Sequence, residues 1–417
     1  MGGPGAPQLM RTSVRVGCDR VDGVNARRQI TDDERRARLG TRHRLATTTC
    51  ASDVRDVADS LVALHSTDPA SVFLSANARM RDGTVAHVEK ALYDDRSLVR
   101  ILGMRRTLFV VPVALVPIVH AACTRAIAAT QRRRYAGLIE QGGIADDGGA
   151  WLDRVGDATM AALQRRGEAF GAELSADVPE LRSQVSFGEG KKWAGTTSMT
   201  TWVLTLLAAD ERIVRGRPRG SWLSSQYSWS PAPPWQPPDE PQLDTAAAQV
   251  ELARRWLAAF GPGTLADLAW WTGWTKTATR AAVGAVGAVE VDLSGGTGYV
   301  LPEDVEPQPT PLDPWVALLP ALDPTAMGWT DRRFYGGDDK ALYDRSGNIA
   351  PTVWADGRIV GCWVQREDGD VAVRLLVDGG REVAAAVDDA AGRLGKWLGA
   401  ARVKSRFRTP VERELLA

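Results

Sequence analysis

Cysteine and histidine are scarce, with four of each in 417 residues. Cys18, Cys50, Cys123 and Cys362 lie far apart, with no C-x-x-C pair. That argues against a disulfide framework or a structural zinc site, and it fits a reducing cytoplasm. His43, His65, His87 and His120 form no H-E-x-x-H or comparable ligand pattern, so neither metal nor cofactor is expected. No apolar run reads as long enough to span a bilayer; the best, 108–119, is short and contains Pro112 and Pro117. The opening residues lack the apolar core of a secretory signal, and 1–28 read as a tail of uncertain order. No glycine-rich phosphate loop follows a strand, which excludes the common nucleotide folds. A basic excess is also missing: 51 Lys and Arg balance 51 Asp and Glu. A simple electrostatic nucleic-acid binder is usually basic overall.

What is present is clustered arginine. It concentrates at Arg35-Arg36-Arg38, Arg42-His43-Arg44, Arg105-Arg106, Arg132-Arg133-Arg134 and Arg215, Arg217, Arg219. Such clusters are either a local basic face on a neutral body or scattered solvated charges. The length predicts two to four structural units.

A repeated order of helices followed by two short strands and a tight turn runs along the chain. This is the sequence form of a winged helix, a helix-turn-helix variant. In the first unit, 29–135, Thr31 and Glu34 have capping-box spacing. A helix from Ser52 has an apolar stripe through Val54, Val57 and Leu61 that reaches His65. Pro69 then stops or turns the chain. Strands 98–102 and 107–111 flank a turn carrying Arg105 and Arg106, the expected wing tip. The second unit, 136–236, ends in a stiff proline-rich linker over 231–238. The third, 237–305, has three helices and a hairpin around Ser294-Gly295-Gly296. The last, 306–417, is mainly β, with a hairpin turn at Asp356-Gly357 and a closing helix 382–398. The fold class expected is α+β.

Several stretches, in order, resemble one family. They include Leu64-His65-Ser66-Thr67-Asp68-Pro69, Met104-Arg105-Arg106-Thr107-Leu108, and Arg215-Gly216-Arg217-Pro218-Arg219-Gly220-Ser221-Trp222. Together with Pro351-Thr352-Val353-Trp354 they are similar to the AlkZ-type DNA glycosylases, from about residue 30 to the C-terminus. The resemblance implies three tandem winged-helix units plus a C-terminal β-barrel-like region, arranged as a C-shaped DNA clamp. It implies hydrolysis of the bond between deoxyribose and an alkylated purine in double-stranded DNA, by a monomeric protein. Known members carry a glutamine, an aliphatic residue, then glutamine or aspartate; the positions here are His65, Ser66 and Thr67.

On chemical grounds, a neutral His65 polarises or deprotonates a water and the Thr67 hydroxyl holds it. Asp68 serves as orienter or electrostatic stabiliser. The plainer reading makes His65 a half-buried core residue and Thr67-Asp68-Pro69 an ordinary capping turn. Candidate DNA contacts are Arg42, His43, Arg44, Arg105, Arg106, Arg217, Arg219 and Ser221. With no lysine nearby in sequence, Schiff-base chemistry and strand cleavage are not expected. The competing reading is a non-catalytic DNA-binding protein or transcription regulator.

Overall fold

The computed structural model describes residues 1–3, 27–188, 190, 194–235, 241–307, 313–406 and 408–417. Most of the expected N-terminal tail, and parts of the proline-rich stretches 231–238 and 302–314, lie outside the described residues.

Thr31 accepts the Glu34 N–H and starts helix Asp32–Arg42. The Glu34 carboxylate turns to Arg28 and Arg38 instead of closing the box. The next helix, Val54–Ser60, is capped by Asp53 and ends earlier than its apolar stripe implies. Val62 adopts φ 64°, a left-handed turn that a β-branched residue rarely takes. The turn swings Leu64–His65 into a short strand, with Leu64 opposite Val110 and His65 opposite Phe109. Pro69 starts a helix rather than ending one. It occupies the first turn of Pro69–Asn77, where its missing N–H costs nothing, and Asp68 caps it. Strands Leu98–Leu102 and Leu108–Pro112 complete a three-stranded sheet.

The prolines at 112 and 117 do not break the stretch that follows. Pro112 ends a strand and Pro117 falls in a first helical turn. Residues Val113–Gln141 are therefore continuous helix, long and apolar enough to cross a membrane by length and composition. Here that helix packs against Thr245–Phe260.

Residues 135–229 hold their own core, built on Trp151, Leu163, Leu174, Val203, Leu207 and Trp229. Helices Gly148–Arg166, Gly171–Asp177 and Met199–Ala209 surround it, and Ile213–Pro218 pairs with Tyr227–Pro231. The hairpin Gln184–Phe187 with Gly195–Ser198 is an addition that the sequence did not announce. Further on, helices Thr245–Phe260, Leu265–Thr272 and Lys276–Val286 precede the hairpin Val289–Leu293 with Gly296–Val300. This is the order expected for that stretch.

The C-terminal strands Val316–Leu319, Thr352–Ala355, Arg358–Gln365 and Val371–Leu375 form a sequential antiparallel meander. Its first and last strands do not pair, so the sheet is open where a barrel-like closure was expected. Helix Gly380–Leu398 covers one face, burying Val387 and Leu394 with Val353 and Trp363. An open sheet covered this way has no need to close on itself.

The first, third and last stretches share one core, in which Leu39, Val111, Trp256, Trp271, Leu319 and Trp354 belong to a single cluster. A polar knot lies inside it. Arg79 and Asp323, both fully buried, pair at 2.6 Å. Arg79 also donates to the carbonyls of His43 and Ser75, and Asp323 accepts from Ser75 and the Thr325 N–H. His43 bridges Thr325 Oγ1 at 2.9 Å and the Ala259 carbonyl at 3.1 Å. Removing one partner leaves a buried charge unmatched, at a cost of about 3–5 kcal/mol. We therefore expect Arg79→Met to lower the denaturant midpoint sharply. Arg79→Met with Asp323→Leu should recover part of the loss, as read by equilibrium unfolding.

Candidate active site in the cleft between residues 29–135 and 136–235

A cleft of about 760 Å³ opens between the hairpin of the first stretch and the second stretch. Ser66, Thr67 and Leu108 form one wall; Ser175, Thr201 and Thr205 lie on the other. Arg215, Arg219 and Arg406 also line it. Among the described residues its lining holds three arginines and no Asp or Glu.

Thr67 is half-buried, and its Oγ1 is buried without a hydrogen-bond partner. Such an orphan costs about 1–3 kcal/mol unless something outside the protein satisfies it. His65 does not share the cleft. Its ring is 6% exposed, meets Phe109 edge-on with centroids 5.0 Å apart, and takes the Thr67 N–H at Nδ1 at 3.4 Å. Burial, with Arg105 nearby, pushes its pKa down to about 3. The ring is therefore neutral at pH 7. With Nδ1 accepting, the proton resides on Nε2. That nitrogen is then a donor, unsuited to the water-deprotonating role expected of it.

Asp68 faces the other way. One carboxylate oxygen caps Ala70 and the other accepts the Arg406 N–H at 3.3 Å. Burial raises its pKa. It lines a small separate cavity together with Lys404, a lysine that sequence proximity could not reveal. Among the three motif positions and Asp68, the fold brings only Ser66 and Thr67 to the cleft.

The candidate DNA-binding residues divide sharply. Arg42 pairs with Asp304 at 2.5 Å and donates to the Gly261 carbonyl. His43 is 0% exposed, which leaves it no surface to meet a phosphate. Arg44 is half-buried, in a left-handed turn. Arg35, Arg36 and Arg38 are buried too: Arg35 lies 3.6 Å above the Phe334 ring and Arg36 donates to the Phe334 carbonyl. The arginine-rich first helix is an internal staple, not a basic face. At the expected wing tip, Arg105 and Arg106 adopt φ of 51° and 61°. Arg105 is half-buried, with its guanidinium 4.0 Å over Trp270, and burial beside Arg332 lowers its pKa to about 10. Arg106 is exposed. Arg217 is held by Asp94 and Glu89. Arg219, stacked 4.4 Å from Phe170, stays exposed in the cleft, and Ser221 shapes the adjoining turn.

Sequence reasoning missed Arg100. A lone charge inside the apolar strand Leu98–Leu102 was the available signal, because buried charges need partners.

An acid-free cleft with clustered arginines and hydroxyls is chemically a seat for a polyanion. The chain belongs to the AlkZ-like DNA glycosylase family: the family model described as DNA glycosylase AlkZ-like matches residues 58–397. The fold is similar to that of Streptomyces sahachiroi DNA glycosylase AlkZ, with a TM-score of 0.68 at 20% identity. That likeness covers 90% of this chain and 98% of the other. No curated protein sequence matches the chain.

The histidine environments give a direct test. Burial lowers both His43 and His65 from 6.5 to about 3. Between those pH values the unfolded chain binds protons that the folded chain does not. Stability then falls as pH falls through that window. Imidazole NMR shifts of His43 and His65 should stay flat from pH 8 to 5, while the melting temperature drops below pH 6.5.

Proposed function

We propose that the protein is a monofunctional DNA glycosylase that hydrolyses the N-glycosidic bond of alkylated purines, N7-alkylguanine or N3-alkyladenine, in double-stranded DNA. The observation that carries this reading is a cleft lined by arginines, with no carboxylate among its described lining residues, and walled by Thr67, whose hydroxyl lies buried and unpartnered at its edge. A purine alkylated at a ring nitrogen is cationic and leaves without a strong acid. The remaining task is to hold a water beneath C1′ as the sugar becomes oxocarbenium-like. The Thr67 hydroxyl holds that water. His65 acts through Thr67 as a positioning residue, by accepting its N–H. Asp68 fixes the same turn as a helix cap and supplies negative charge from behind it.

In this reading the three helix-and-hairpin stretches, 29–135, 136–236 and 237–305, act as winged helices, and 306–417 completes a C-shaped clamp. Arg106 and Arg219 contact phosphates. The protein works as a cytoplasmic monomer without metal or cofactor. The breadth of the cleft favours a bulky natural-product adduct, and with it a role in self-resistance or base excision repair. The second reading, a DNA binder without catalysis, draws on the cleft's described lining, which holds no imidazole or carboxylate.

Duplex carrying one bulky N7-alkylguanine is the test, with released base measured by chromatography. Wild type should release it, and Thr67→Val should cut the single-turnover rate by about 10²-fold or more while still binding duplex. His65→Ala should lose less, and its residual rate should show no pH dependence between 6 and 8. Wild-type release at the background rate, with binding retained, would overturn the enzymatic reading in favour of the second.

A further inference from the structure

Arg215 and Tyr227 on the wall of the same cleft, and Arg100 buried behind them beside Ser66, are two cations and a phenol without a matching anion among the described residues. Arg100 is 4% exposed. Its Nε donates to Ser66 Oγ at 3.0 Å and its Nη1 to the Tyr93 hydroxyl at 3.3 Å, while Nη2 is buried and unpartnered. The Arg100 guanidinium lies 4.3 Å over the Tyr227 ring. Tyr227 lines the cleft and is 9% exposed, and its hydroxyl oxygen is buried without a partner. Arg215 also lines the cleft, stacked 4.5 Å from Trp229. Neither Arg100 nor Arg215 has an ion pair among the described residues. The carboxylate whose charge reaches Tyr227 is Asp68, which is already engaged as a helix cap.

Burying cations side by side is unfavourable unless an anion completes them. Arg215 already feels this, since burial and the neighbouring Arg100 lower its pKa to about 10. It remains charged at neutral pH. A tyrosine hydroxyl and a guanidinium both donate, and a phosphodiester offers only acceptors.

We infer that Arg215 and Tyr227, with Arg100 behind them, form a receptor for one backbone phosphate of the DNA strand, next to the nucleotide presented to Thr67. The inference rests on DNA being the ligand of the cleft, as proposed above, and not on base release. Fixing that phosphate sets the distance between the backbone and the Thr67 hydroxyl. It therefore decides which nucleotide meets the water.

The test is phosphate neutralisation. Duplexes containing a tetrahydrofuran abasic analogue carry one methylphosphonate, moved stepwise through the flanking linkages. Wild type should lose about tenfold in affinity at one position. Arg215→Gln should bind natural duplex more weakly and be insensitive at that position, keeping the wild-type penalties elsewhere. Its slope of log affinity against log salt should fall by about 0.9, and Arg215→Lys should restore part of it. Tyr227→Phe removes only an unpartnered hydroxyl, so it should fold normally and show about a threefold smaller penalty at the same linkage. This variant decides the matter alone if Arg215→Gln fails to fold. Equal penalties in wild type and variants at every linkage would overturn the receptor. Base release is scored separately: release without coupling removes the receptor only, and coupling without release removes the enzymatic reading only.

Discussion

The buried pair between Arg79 and Asp323 is the constraint on which the rest depends. Arg79 follows the helix that begins at Pro69, and Asp323 lies in the turn after strand Val316–Leu319. Their union fixes that helix against the C-terminal sheet, and so fixes Asp68 and Thr67 at its head. Desolvating two charges is costly, and the pair holds because almost every donor and acceptor around it is used. His43 and Thr325 extend the network to Ala259, which draws the third helical stretch into the same lock.

This lock explains how arginine is distributed. The first helix uses Arg35, Arg36 and Arg38 inward, on Phe334 and Asp304. Arg105 spans to Trp270, tying the hairpin to the third helical stretch. Arg215 and Arg219 line the cleft, whose described lining holds no acidic side chain. A neutral protein thereby has a locally positive cleft. The overall charge is uninformative because most charges neutralise one another inside or across the body of the protein.

Much of the scaffold is legible in the sequence where signals are local. Thr264 and Thr275 cap the helices that follow them, and Asp356-Gly357 makes its turn, with a Gly357 φ of 81°. The final helix Pro410–Leu416 also has a local signal, a Thr409–Glu412 capping box, that went unread. What sequence could not supply was long-range. The helical stripe through Leu61 predicted a longer helix, and tertiary pairing with Leu108–Pro112 overrode it. That same pairing turns His65 under Phe109 and leaves Thr67 at the cleft, so of the candidates His65, Thr67 and Asp68 the fold brings only Thr67 to it. Arg36 and Phe334 are 298 residues apart, and no local rule tells such an arginine from a solvated one. Family resemblance named the candidate segment; strand register decides which of its residues line the cleft.

The central claim is that DNA seats in the cleft between the first and second stretches and not on the arginine-rich first helix. Hydrogen exchange with and without a duplex carrying an abasic analogue tests it most directly. The account predicts slowed exchange at 66–67, 198–205 and 225–229, with 32–42 unchanged. Protection confined to 32–42 or to the 355–358 turn, with the cleft exchanging as in the free protein, would contradict it.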